Sequence, residues 1–152
     1  PGSIGALYHS AAHPVTAPFV IPALAAFASD GLVRSTVHSV FKPLNPPKGY
    51  LDFVGAGLSL RPHSLRANAR QVATLRPHMV KLAAHYPSLD LPIEALHGSE
   101  DRSVYAEIHA ERLVTQVPQT RYTRLEGIGH SPHHHAHSDI LASLARLNAL
   151  RG

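Results

Sequence analysis

Cysteine and tryptophan are absent from this sequence, methionine occurs once, and aromatic residues make up 6% of its 152 positions. Without cysteine there is no disulfide, no thiol nucleophile and no thiolate metal site, which fits a cytoplasmic chain. The scarcity of aromatics leaves leucine, alanine and valine to build the core. No apolar run approaches the roughly 18 residues that a membrane-spanning helix needs. The most apolar piece, residues 17–28, is short and carries Pro18 and Pro22. No basic region followed by an apolar stretch and a cleavage pattern opens the chain, so no secretory leader and no membrane partner are expected. The chain opens on Pro1 rather than methionine, as expected of a fragment or a processed protein. Its 14 basic and 10 acidic side chains give a net charge of +4, with the cations scattered. There is no dense basic block interleaved with aromatics, so nucleic acid is not an expected partner.

The apolar residues that are present fall at helical spacing over most of the chain. Residues 2–13 read as a loop running into a short helix. Phe19, Ile21, Leu24, Ala25 and Phe27 mark a second helix starting near Pro18 or Pro22, with Gly31 as a stop. Leu32, Val33, Val37, Val40 and Phe41 predict an amphipathic helix over 32–41. Residues 42–49 hold three prolines and a glycine and are a linker. Residues 50–60 read as a short helix loosened by Gly55 and Gly57. A long helix over 65–85 follows, with Ser64 as its cap and Pro77 as a kink.

The stretch over 91–130 organises the rest. LPIEALHGSED reads as a short apolar strand, 92–96, running into a turn and an acidic pair. Residues 122–125 read as a second strand, followed by a glycine-rich turn that delivers His130. Between them, 104–117 has a helical stripe of Val104, Ile108, Leu113, Val114 and Val117. Strand, crossover helix and strand imply two parallel strands whose carboxyl ends share one edge. A carboxylate and an imidazole therefore leave the sheet on the same side, where open α/β sheets keep their sites. A last helix over 132–150 is expected, with Ser131 as cap, Pro132 at its first position, and Ile140, Leu141, Leu144, Leu147 and Leu150 facing inward.

Gly98-Ser99-Glu100-Asp101, with Val104, and Gly127-Ile128-Gly129-His130-Ser131-Pro132-His133 resemble the acid and histidine motifs of the α/β-hydrolase family. In that family the triad runs nucleophile, acid, histidine along the chain. The resemblance places Asp101 on the acid position and His130 on the histidine position, 29 residues apart, with Glu100 as a backup acid. It covers roughly the whole chain, more loosely before Arg61. It implies an α/β fold comprising the C-terminal part of a hydrolase: a helical cap over 1–60, then the last two parallel strands with their flanking helices over 61–152. Tyr8, Phe41, Tyr50 and Phe53 are the cap residues expected to line a substrate pocket.

The family's nucleophile elbow, G-x-S-x-G, is missing. The nearest text, Pro1-Gly2-Ser3-Ile4-Gly5, has proline at the first glycine and no strand before it to hold Ser3 in a strained turn. The resemblance therefore implies a chain that supplies the acid and the general base, but neither nucleophile nor oxyanion hole. The expected parent reaction is hydrolysis of a carboxylic ester in a small-molecule substrate, without a cofactor. C–C bond or epoxide cleavage on the same scaffold stays open, and these chemistries are distinguished partly by the nucleophile, Ser or Asp. Completing the sheet is expected to require an upstream half or a second copy of the chain. One rival is a non-catalytic binding or scaffold domain of the same fold. Another is a metal-binding protein built on His133-His134-His135-Ala136-His137, where His133 and His137 would lie four apart on one helix face. Near a helix N-terminus these imidazoles are expected to stay neutral.

Overall fold

Proline and glycine set most of the element boundaries. In the computed structural model, which describes residues 6–150, seven helices and two strands appear among the described residues. Ser3 and the rest of residues 1–5 lie outside the described residues, so the candidate elbow has no structural account. Among the described residues no single helix is long and apolar enough to cross a membrane.

The helices are α1 (Ala6–Ala12), α2 (Ala17–Phe27), α3 (Asp30–Phe41), α4 (Tyr50–Val54) and α5 (Pro62–Ala83), in that order. Pro18 sits in the first turn of α2, where its missing N–H costs nothing. The stop expected at Gly31 is instead the second residue of α3. Ser29 caps that helix, its Oγ and its carbonyl accepting the Leu32 and Val33 N–H groups. Gly55, at φ 57°, separates α4 from a 3-10 turn over Ala56–Leu60, so the single helix expected there is two pieces. The long helix begins at Pro62, after an extended Arg61, and not at Ser64. It runs as one helix of 22 residues through Pro77. The proline removes one backbone bond there without dividing the element.

The residues form two compact units. One takes the chain up to Ser35 together with Gly49–Ala84, and the other takes Thr36–Lys48 together with the residues from His85 on. In the first unit Ala11, Ala17, Ile21 and Ala69 form the buried cluster, with Ala12, Val20 and Leu65 against it. Three alanines at the centre let α1, α2 and α5 approach closely. The division differs from a boundary at residue 60, because α5 packs on the first helices.

The second unit contains β1 (Ile93–Gly98), α6 (Ala110–Gln116), β2 (Thr120–Leu125) and α7 (His137–Ala149). The strands pair in parallel, from Ile93 opposite Thr120 to Gly98 opposite Leu125. The parallel pairing and the crossover between strands agree with the spacing argument. The crossover helix is much shorter than 104–117, for a local reason. The N–H of Val104 donates to Asp101 Oδ1, and its carbonyl, which a helix would use, lies against His97 Nε2 instead. Residues 105–109 make isolated turns until α6 begins.

The last helix also differs. Pro132–His134 forms a 3-10 turn, and α7 starts only at His137. Ser143 is buried, while Leu141, Leu144 and Leu150 are exposed, contrary to the leucine stripe expected. The inward face is set by an ion pair. Arg146 donates to both Glu94 carboxylate oxygens, at 2.8 and 2.7 Å, and to Ser143 Oγ at 2.8 Å. This two-pronged bond ties α7 to β1 and holds the Glu94 carboxyl below its ordinary value.

Candidate active site

The end of β1 and the loop after β2 each need a glycine. A Cβ on Gly98 would lie 2.2 Å from the Ile128 carbonyl oxygen, and one on Gly129 would lie 2.1 Å from that of Lys42. The loop after β2 therefore runs hard against the end of β1 on one side and against residues 40–42 on the other. Gly127, at φ 70°, makes the turn. Backbone bonds fix this packing: Ser99 N–H to Leu125 O and Glu100 N–H to Ile128 O, each 2.9 Å, and His130 N–H to Val40 O, 3.2 Å. Ser99 Oγ accepts the Gly127 N–H at 2.9 Å.

These contacts bring Asp101 and His130 together. His130 Nδ1 lies 2.8 Å from Asp101 Oδ2. The other carboxylate oxygen accepts the Ser103 and Val104 N–H groups at 2.8 and 2.9 Å. The Asp101 side chain is 5% exposed and that of His130 is 38% exposed. Burial pushes the Asp101 carboxyl up. The bonds from Val104, His130 and Ser103 outweigh it and hold the group below its ordinary value. With Nδ1 turned to a carboxylate, the ring presents Nε2 as its other edge, the arrangement in which a histidine exchanges protons with a third group. Glu100, the alternative acid, is exposed, and the histidine goes to Asp101.

A cavity of about 410 Å³ is bordered by Ser39, Val40, Lys42, Pro43, Glu100, Arg102 and Ser103. Its walls are the two segments that flank the pair: the chain neighbours of Asp101, and the stretch around Val40 that accepts the His130 N–H. None of the four expected pocket aromatics borders it. Phe41 is 1% exposed and packs against the rings of His134 and His135, at centroid distances of 5.5 and 5.8 Å. It is a core residue of the second unit. Tyr8 on α1, and Tyr50 and Phe53 on α4, belong to the first unit, and Phe53 is 89% exposed.

The histidine cluster is not a chelating face. His133 lies in the 3-10 turn and His137 opens α7, so the helix their four-residue spacing required is broken between them. Among the described residues no group of three or more His, Asp or Glu is placed to hold a metal ion. Burial and the neighbouring histidines 133, 135 and 137 push the His134 imidazole below its ordinary value, in the direction expected for a neutral ring.

Sequence reasoning missed His97. Its Nε2 lies 3.0 Å from the Val104 carbonyl and 3.7 Å from Asp101 Oδ2. The available signal was its position in the penultimate residue of the strand that carries the acid, four residues before Asp101.

No protein-family model matches the chain, and no curated protein matches it. Among solved structures it is similar to one described as "a putative lipase (lip1) from Acinetobacter baumannii AYE", with a TM-score of 0.53 and 16% sequence identity. The likeness covers 90% of this chain and 48% of that one, so the chain spans about half the length of the structure it resembles. At this identity the likeness is one of fold. A helix-rich chain with a small parallel sheet shares the arrangement of part of a lipase-like α/β protein.

Proposed function

We propose that this chain is part of an α/β-hydrolase acting on carboxylic esters of small molecules, to which it contributes the acid and the general base of the triad. The observation that carries the reading is the Asp101–His130 contact of 2.8 Å, made from loops at the carboxyl ends of two adjacent parallel strands. In the proposed reaction His130 Nε2 takes the proton of an attacking nucleophile and returns it to the leaving alkoxide. An imidazole can both accept and give a proton, as the two steps require. Asp101 fixes the tautomer that carries its proton on Nδ1 and stabilises the imidazolium as it forms. The nucleophile and the oxyanion donors are assigned to protein outside these 152 residues. The cavity beside Asp101 is where part of the substrate would rest.

The test is to express the longest reading frame that contains this chain and to measure p-nitrophenyl butyrate hydrolysis, with His130→Ala and Asp101→Asn beside it. Loss of a triad member typically lowers kcat by about 10⁴-fold or more. Such losses in both variants are expected. Turnover that survives His130→Ala, or a frame that shows none, would overturn the reading.

A further inference from the structure

We infer that His97 is a positioning residue for Asp101, holding the turn that presents the carboxylate to His130. The inference rests on the acid-and-base reading of that pair.

The turn after β1 closes on itself through Val104. The Val104 N–H donates to Asp101 Oδ1 at 2.9 Å, and the Val104 carbonyl lies 3.0 Å from His97 Nε2. A carbonyl only accepts, so this bond requires the proton on Nε2 of His97. His97 is the penultimate residue of β1, in register with Arg124, and its side chain is 11% exposed. It is thus a fixed post on the sheet rather than a mobile loop side chain. One ring atom reaches the far side of the turn and pins Val104 through its carbonyl, and Val104 in turn pins the carboxylate through its N–H.

The same N–H edge lies 3.7 Å from Asp101 Oδ2, the oxygen that His130 contacts. That is too long for a hydrogen bond, yet it sets a positive edge beside the oxygen on which the pair depends. Asp101 is thereby held between two imidazoles with different tasks. His130 faces outward and exchanges protons. His97 faces the turn, with its Nε2 edge on the Val104 carbonyl. The ionisable residues next to Asp101 in the chain, Glu100 and Arg102, make no ion pair with it. The Val104 N–H is among the donors that hold the Asp101 carboxyl below its ordinary value, and the Val104 carbonyl is the group that His97 contacts.

The experiment follows the Asp101 side-chain carboxyl by ¹³C NMR through an acid titration of the protein expressed from the longest reading frame that contains this chain. Wild type is compared with His97→Leu, His97→Asn and His97→Gln. Leucine has no donor, and asparagine is too short to reach Val104. Both should raise the Asp101 midpoint by about 1 pH unit, as expected for a carboxylate that loses a well-placed donor. Glutamine carries an amide N–H at about the place of Nε2 and should restore most of the wild-type midpoint. Identical midpoints in all four proteins would overturn the inference, as would a glutamine variant shifted as far as asparagine. If leucine prevents folding, the contrast between glutamine and asparagine decides. The measurement needs no hydrolysis, so a hydrolase reading that fails in the turnover assay fails separately from this one.

Discussion

Burial alone would drive the Asp101 carboxyl toward its neutral form, and it is the donors around it that keep it ionised. Removing the acceptor leaves the Ser103 and Val104 N–H groups and the His130 ring without their partner. Hydrogen bonds to charged groups contribute about 1.5–3 kcal/mol. Asp101→Ala is therefore expected to lower stability by about 3 kcal/mol in urea denaturation. The pH dependence has a definite sign. Asp101 and Glu94 both have folded values below their ordinary ones. Their contribution is fully present above the unfolded carboxylate range, near pH ~4, and is lost as pH falls through the lower folded values. Acid unfolding that begins below about pH 4, and starts at higher pH in Asp101→Ala, would match this. At this scale the sequence was informative about Asp101 and His130, because short motifs with a fixed separation mark them. It was silent about His97, whose part depends on where one ring nitrogen points across a turn.

Among the elements, the loop that delivers His130 is the most constrained. Gly129→Ala would push a methyl group into the Lys42 carbonyl, a backbone atom that cannot move aside cheaply. A loss of about 3 kcal/mol is expected, at the upper end of overpacking costs, with His130 displaced. Leu144→Glu on the exposed face of α7 should change stability by less than about 0.5 kcal/mol. A leucine facing inward would instead cost several kcal/mol, so a thermal melt of this variant beside the wild type tests the helix register directly. Apolar periodicity located β1, β2 and the long helix well enough to place the site. It failed in 104–109 and in α7, where polar contacts decide. The Val104 carbonyl is taken by the His97 ring, and the Arg146–Glu94 pair selects which face of α7 turns inward. Neither interaction leaves a periodic trace. The aromatic residues expected to line a pocket were taken from the resemblance of the first helices to a cap. Phe41 shows the weakness of that step, since a large apolar side chain at a helix end is as well suited to a core as to a cavity.

At the scale of the molecule, the sheet contains two strands among the described residues, paired to each other and to no third strand. Parallel strands are normally buried on both faces and covered at their edges. Strand β1 is half-buried through most of its length, and several large apolar residues on α5 and α7 face outward. We expect the purified 152-residue chain to unfold over a broad thermal transition with aggregation. A sharp, reversible transition of the monomer would count against a chain that belongs with further sheet strands. The central claim is that the chain holds an acid and a base and lacks its own nucleophile. The most direct measurement is hydrolysis of p-nitrophenyl acetate and butyrate by the purified chain, with His130→Ala measured in parallel. The account predicts the same slow background for both proteins. Repeated turnover by the wild type, abolished by His130→Ala, would contradict it and place a nucleophile within these residues, with Ser3 the first to be replaced.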